Sequence, residues 1–210
     1  MLKLKNSTVA LAVAGAVALG TLTGCSQDGG VDLTALPKDM SWSSYQGQPV
    51  PVSKEDGPKH TEGIPAWGYS PTPQGALLAA INDQVRIALA PDDVWAITVR
   101  GLTAPGRGRD EFATFRTMQS ITGPIKSKDA RKFLGFQIKN WKWDKDKEIP
   151  VSCAVILAQS QNGKLFSYPV AMAYLNGEWR VVLNESAEHI DASPLKNLDG
   201  FTKLPQPSGK

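Results

Sequence analysis

An α+β fold, with N-terminal helices packed on a curved antiparallel sheet, is what this sequence predicts, on three observations. Between Leu77 and Met118 apolar residues recur every three to four positions, the period of an amphipathic helix. Between Phe133 and Leu183 they fall into four blocks with the strand period or a continuous apolar run, bounded by turn residues. Asn162-Gly163 and Asn176-Gly177 each separate two of these blocks. Asn-Gly is a strong hairpin signal, because both central residues of a type I′ turn need φ > 0. Helices first and strands after is the order of an α+β layer fold.

The chain opens on a basic head, Lys3 and Lys5, and an uncharged apolar run from Val9 to Leu22. The run is shorter than the roughly 20 residues of a membrane-spanning helix. It has the size of a secretory signal core, which small residues follow at the cleavage point. Leu22-Thr23-Gly24-Cys25 resembles the bacterial lipobox. The resemblance implies a lipoprotein signal peptide over 1–24, a diacylglycerol thioether on Cys25, and a protein held by that lipid on the extracytoplasmic face of the cell membrane.

The formal charge of +3 falls to +1 once Lys3 and Lys5 leave with the signal segment. A near-neutral chain lacks the basic excess of a nucleic-acid binder, so no direct nucleic-acid partner is expected. With Cys25 lipidated, Cys153 has no partner in the chain. It lies in the apolar stretch Val151–Leu157 with no base or cation adjacent in sequence, which predicts a buried, inert thiol.

Residues 25–65 are rich in Gly, Pro, Ser, Asp and Lys and show neither hydrophobic period. They predict an extended tether. Trp42 and Tyr45 stand out in it as aromatic anchors for a domain or a partner.

The globular domain is expected over 66–190. Thr72-Pro73 reads as an N-cap and first helical residue. Leu77, Ile81, Val85 and Ala88 form the inward face of a first helix ending before Pro91, while Asn82, Asp83 and Arg86 are expected to point away. A second helix starts at Pro91-Asp92-Asp93, with acids where the helix dipole favours them, and stops at Gly101. A third runs from Arg109 to about Thr122 with Phe112, Phe115 and Met118 inward. Strands follow over Phe133–Trp143, Val151–Ser160, Lys164–Leu175 and Glu178–Leu183. The second strand is apolar on both faces and so central. Residues 191–210, with Pro194, Gly200, Pro205 and Pro207, read as a loose tail.

The element order over 73–184 resembles the cone-like NTF2-like fold, in which N-terminal helices pack into the concave face of a bent sheet. A second resemblance rests on Trp42–Gly47, Pro51-Val52-Ser53, Asp56-Gly57-Pro58 and Gly68-Tyr69-Ser70-Pro71-Thr72-Pro73-Gln74-Gly75-Ala76. Those residues are similar to an uncharacterised family of actinobacterial lipoproteins that often accompany genes of integrative conjugative elements. That resemblance implies an association with DNA-transfer machinery by company, and assigns no catalytic residue.

The supply of chemistry is thin. His60 falls in the tether and His189 past the last strand, beside Glu185, Glu188 and Asp191, where a surface cluster explains them. Asp92-Asp93 and Asp110-Glu111 suit helix first turns. Pro105-Gly106-Arg107-Gly108-Arg109 is a basic loop at a helix start, able to hold an anion but lacking the spacing and lysine of a phosphate-binding loop. Trp141 and Trp143, two apart on one strand, share a face. With Phe166, Tyr168 and Tyr174 they either pack the core or line a pocket. Neither cofactor nor metal is expected. The reading is a non-enzymatic envelope lipoprotein with a protein partner, possible contact residues being Trp42, Tyr45, Trp141, Trp143, Tyr168 and Tyr174. A small-ligand-binding lipoprotein and a prophage-type exclusion lipoprotein stand as alternatives.

Overall fold

The computed structural model describes residues 30–62, 65–116, 123–185 and 192–207. The signal segment, Cys25, Met118, Glu188, His189 and Asp191 lie outside the described residues. The described chain opens on a hairpin of β1 (Ser41–Tyr45) and β2 (Gln48–Val52), paired from Ser41 opposite Val52 to Tyr45 opposite Gln48. Three helices come next: α1 (Pro73–Leu89), α2 (Asp92–Leu102) and α3 (Arg107–Arg116). Then come β3 (Lys132–Asp144), β4 (Ile149–Gln161), β5 (Lys164–Leu175) and β6 (Glu178–Val182), and two short strands, β7 (Ser193–Pro194) and β8 (Thr202–Lys203). The six later strands form one antiparallel sheet in the order β6-β5-β4-β3-β8, with β7 on β5.

This corrects the expected fold class. The helices are not N-terminal, because the hairpin precedes them, and the molecule is mostly antiparallel sheet. The expected tether is overturned over 41–52: Gln48, Val50 and Pro51 of β2 are buried and the hairpin packs on α1. The expected loose tail is corrected too, since β7 and β8 pair with β5 and β3 and Leu204 is buried.

Helix α1 sits between two layers. Its Thr72 hydroxyl accepts from the Gly75 N–H at 3.1 Å, closing the N-terminus as the sequence predicts. One side meets β3 to β6 and another meets β2. Ala76 to Asp83 is buried without a break. Asn82, Asp83 and Arg86 therefore do not point away as expected, but are enclosed. Asn82 shows why: its Nδ2–H donates to the Pro51 carbonyl of β2 at 2.8 Å. The hairpin covers the helix face that a two-layer fold leaves to water.

The four main strands and the central place of β4 agree with the sequence. Asn162 and Gly163 (φ 51° and 74°) and Asn176 and Gly177 (φ 54° and 83°) take the positive-φ turns their residue types favour. Facing α1 are Phe136 and Ile138 of β3, Cys153, Val155 and Leu157 of β4, Val170 and Met172 of β5, and Trp179 and Val181 of β6. Across the opposite face the chain runs from β7, at the β6-side edge of β5, to β8, at the outer edge of β3. Gln137 Nε2–H on that face donates to the Gly200 carbonyl of this strap at 2.8 Å.

Candidate functional site

The Gly68–Ala76 motif builds a corner. Gly68 has a positive φ of 83°, a conformation open to glycine without strain. Its N–H donates to both oxygens of Glu178 on β6, at 3.2 and 3.1 Å. Asp56, itself buried, accepts from the Lys38 N–H and from the Ser70 and Thr72 hydroxyls. Gln74 Nε2–H donates to the Asp32 and Ala35 carbonyls. The motif is thus the joint that fixes the N-terminal segment, α1 and β6 to one another.

That joint ends in an aromatic cluster. Trp179 Nε1–H donates to the Ser70 carbonyl at 3.0 Å. Its ring lies 5.7 Å from Trp141 and 5.2 Å, edge on, from Tyr174. Trp143 is half-buried against the same core. Trp67 forms a two-way backbone bridge with His60, and the two rings stack at 3.7 Å. Trp67 remains 48% exposed. Around it the end of the sheet carries further exposed apolar residues. Leu175 pairs with Glu178 just beyond the Ser152–Ala173 pair that ends the β4–β5 ladder, and Ile149 and Val151 lie at that same end of the sheet. Leu175, Ile149 and Val151 are all exposed.

The structure brings Trp141, Trp143 and Tyr174 towards one end of the sheet, as the shared face predicts, and adds Trp179 and Trp67, which the sequence does not single out. Tyr168 lies six residues from Tyr174, roughly 20 Å along the strand at ~3.3 Å per residue, and packs half-buried on the core. Trp42 and Tyr45 are not free anchors. Both pack on the core; Trp42 Nε1–H donates to the Pro205 carbonyl at 2.9 Å, and the Arg86 guanidinium lies 4.4 Å from the Tyr45 ring centre.

Beneath the joint lies a buried polar group that the sequence reading misplaces. Asp83 is fully enclosed, and neither carboxylate oxygen has a hydrogen-bond partner; Tyr69 Oη and Arg86 Nε are in the same state. Burial pushes the Asp83 carboxyl well above the usual carboxylate range, against the pull of Arg86 and Arg180 and with the push of Glu178. Burial and then the Asp83 charge push the Tyr69 phenol up as well. A carboxyl held towards its neutral form suits proton chemistry, but Asp83 touches no solvent in this conformation. The signal that locates it is the run Gly75–Ile81, apolar on every side, which marks an enclosed helix.

The remaining candidates have structural explanations. Gly108 lies where a Cβ would stand 2.1 Å from the Leu183 carbonyl oxygen, so the basic loop's glycine lets α3 approach β6 closely. Glu111 faces Arg107 at 3.7 Å and Asp110 faces Arg109 at 4.0 Å. Asp92 and Asp93 are exposed in the first turn of α2. Cys153 is buried, as predicted, and burial pushes its thiol up to about 12. Among the described residues no helix is long and apolar enough to cross a membrane. A family model described as "Domain of unknown function (DUF8175)" matches residues 10–203. No curated protein and no solved structure matches.

Proposed function

We propose, from the premise that the chain belongs to the DUF8175 family and takes no activity from its description, that it is a membrane-anchored, extracytoplasmic interaction module rather than an enzyme. The observation that supports this is that Trp67, Ile149, Val151 and Leu175, all towards one end of the sheet, are exposed. Exposed apolar surface of this kind marks contact sites, and tryptophan is a frequent anchor of them. Buried Trp141 and Trp179 and half-buried Tyr174 pack ring against ring towards the same end of the sheet. The anchor in this reading is lipid on Cys25, and the partner is a protein of the cell envelope. Resemblance to lipoproteins that accompany integrative conjugative elements makes a conjugative assembly the first to examine.

The test is site-directed photo-cross-linking of the full chain in the envelope of cells that make it. A cross-linker at Val151 or Leu175 is expected to capture a discrete partner. One at Lys164, exposed at the other end of β4 and β5, is expected to capture none. No adduct from the first two positions, or the same adduct from all three, would end the proposal.

A further inference from the structure

A cleft of about 150 Å³ opens between α1, β2 and the 3-10 turn at Ser127–Asp129. It is smaller than the roughly 300–1,000 Å³ of sites for drug-sized ligands. Val85, Ala88 and Leu89 of α1 and Ile125 give it an apolar wall, and Asp129 and Arg131, residues of opposite charge, are among the residues that line it.

Those two positions are pinned through their backbones. Gln48 Nε2–H donates to the Arg131 carbonyl and the Arg131 N–H donates to Gln48 Oε1, both at 2.8 Å. Gln161 Nε2–H donates to the Asp129 carbonyl at 2.9 Å. Among the described residues neither the Asp129 carboxylate nor the Arg131 guanidinium makes a hydrogen bond or ion pair, with each other or with a neighbour. The backbone at both positions is held, and both charged ends are left available to a ligand.

We propose that this cleft binds a small free aliphatic α-amino acid. The guanidinium fork of Arg131 takes the carboxylate, for which its planar donors are suited. Asp129 takes the ammonium, and the aliphatic side chain lies on Val85, Ala88, Leu89 and Ile125. A simple carboxylic acid would set its charge against Asp129, and a simple amine would set its charge against Arg131. Only a zwitterion with an apolar tail satisfies both charges and the wall. This site is separate from the contact surface at the end of the sheet and does not depend on it.

Calorimetric titration of the full chain with L-alanine, L-valine and L-leucine tests the proposal. At least one is expected to bind, and the amide and N-acetyl forms of that amino acid, each lacking one charge, are expected to bind about tenfold more weakly or worse, the loss that follows removal of a charge-assisted contact. Arg131→Gln and Asp129→Asn are expected to weaken binding to a similar degree without moving the melting midpoint, because the bonds that hold these positions are made by backbone atoms. Binding by none of the three up to roughly 10 mM, an affinity below the ~4 kcal/mol of a millimolar site, overturns it. So does an amide or N-acetyl form that binds as well as the amino acid, or wild-type affinity in both folded variants.

Discussion

Gly75 tolerates no side chain. A Cβ there would stand 2.1 Å from the Ser70 carbonyl oxygen and 2.6 Å from the Ser70 hydroxyl, in a joint already bound to Asp56 and Thr72. Gly75→Ala is expected to destabilise the protein by about 1–3 kcal/mol, the range for overpacking. Gly123→Ala, with open space around it, is expected to stay within about 0.5 kcal/mol of wild type. Equal melting midpoints for the two variants would refute the joint. Asp83 carries the other expectation at this scale. Folding raises its pKa above 3.8, so the folded state holds that proton more tightly than the unfolded chain. Its contribution to stability is complete below the unfolded value and is lost as pH rises through the folded one. As pH rises above about 4, across the range in which the protein stays folded, the wild type is expected to lose stability relative to Asp83→Asn, in which the group does not titrate. Denaturant midpoints across that range check it, and parallel profiles for the two proteins would show that Asp83 is not the titrating group.

The hairpin is the element whose role differs most from expectation. It covers α1, and Asn82 and Arg86 rest on it. A chain beginning at Trp67 is therefore expected to show no cooperative unfolding transition. A sharp transition near the wild-type midpoint would restore the tether. The reason this element escapes the sequence is local. β1 sets only serines beside its aromatics, and β2 carries two prolines, which ordinarily demote a strand. β7 and β8 are two residues each, too short to carry a period. The three long strands, β6 and both Asn-Gly turns were legible because their signals are local. At the candidate site Trp141 and Tyr174 were legible from strand alternation. Trp67 was not, since only the fold brings it beside Glu178, and Asp83 was hidden by the assumption that α1 keeps one wet face.

At the scale of the whole molecule, the proposed lipid anchor has a direct test. Cys25→Ser is expected to abolish acylation and release the protein from the membrane fraction. Mass spectrometry of the native N-terminus showing an unmodified residue 25 would refute the anchor. The bond from Trp42 to the Pro205 carbonyl spans 163 residues of sequence. Contacts this distant must await closure of a long loop, and non-local topologies fold in milliseconds to seconds rather than microseconds. Any machinery that handles this chain from its first residue onward therefore meets an unfinished molecule until the last strand has emerged. Because β8, the buried Leu204 and the acceptor of the Trp42 bond all fall within residues 202–205, loss of the chain from Thr202 onward is expected to weaken packing as far away as the first hairpin.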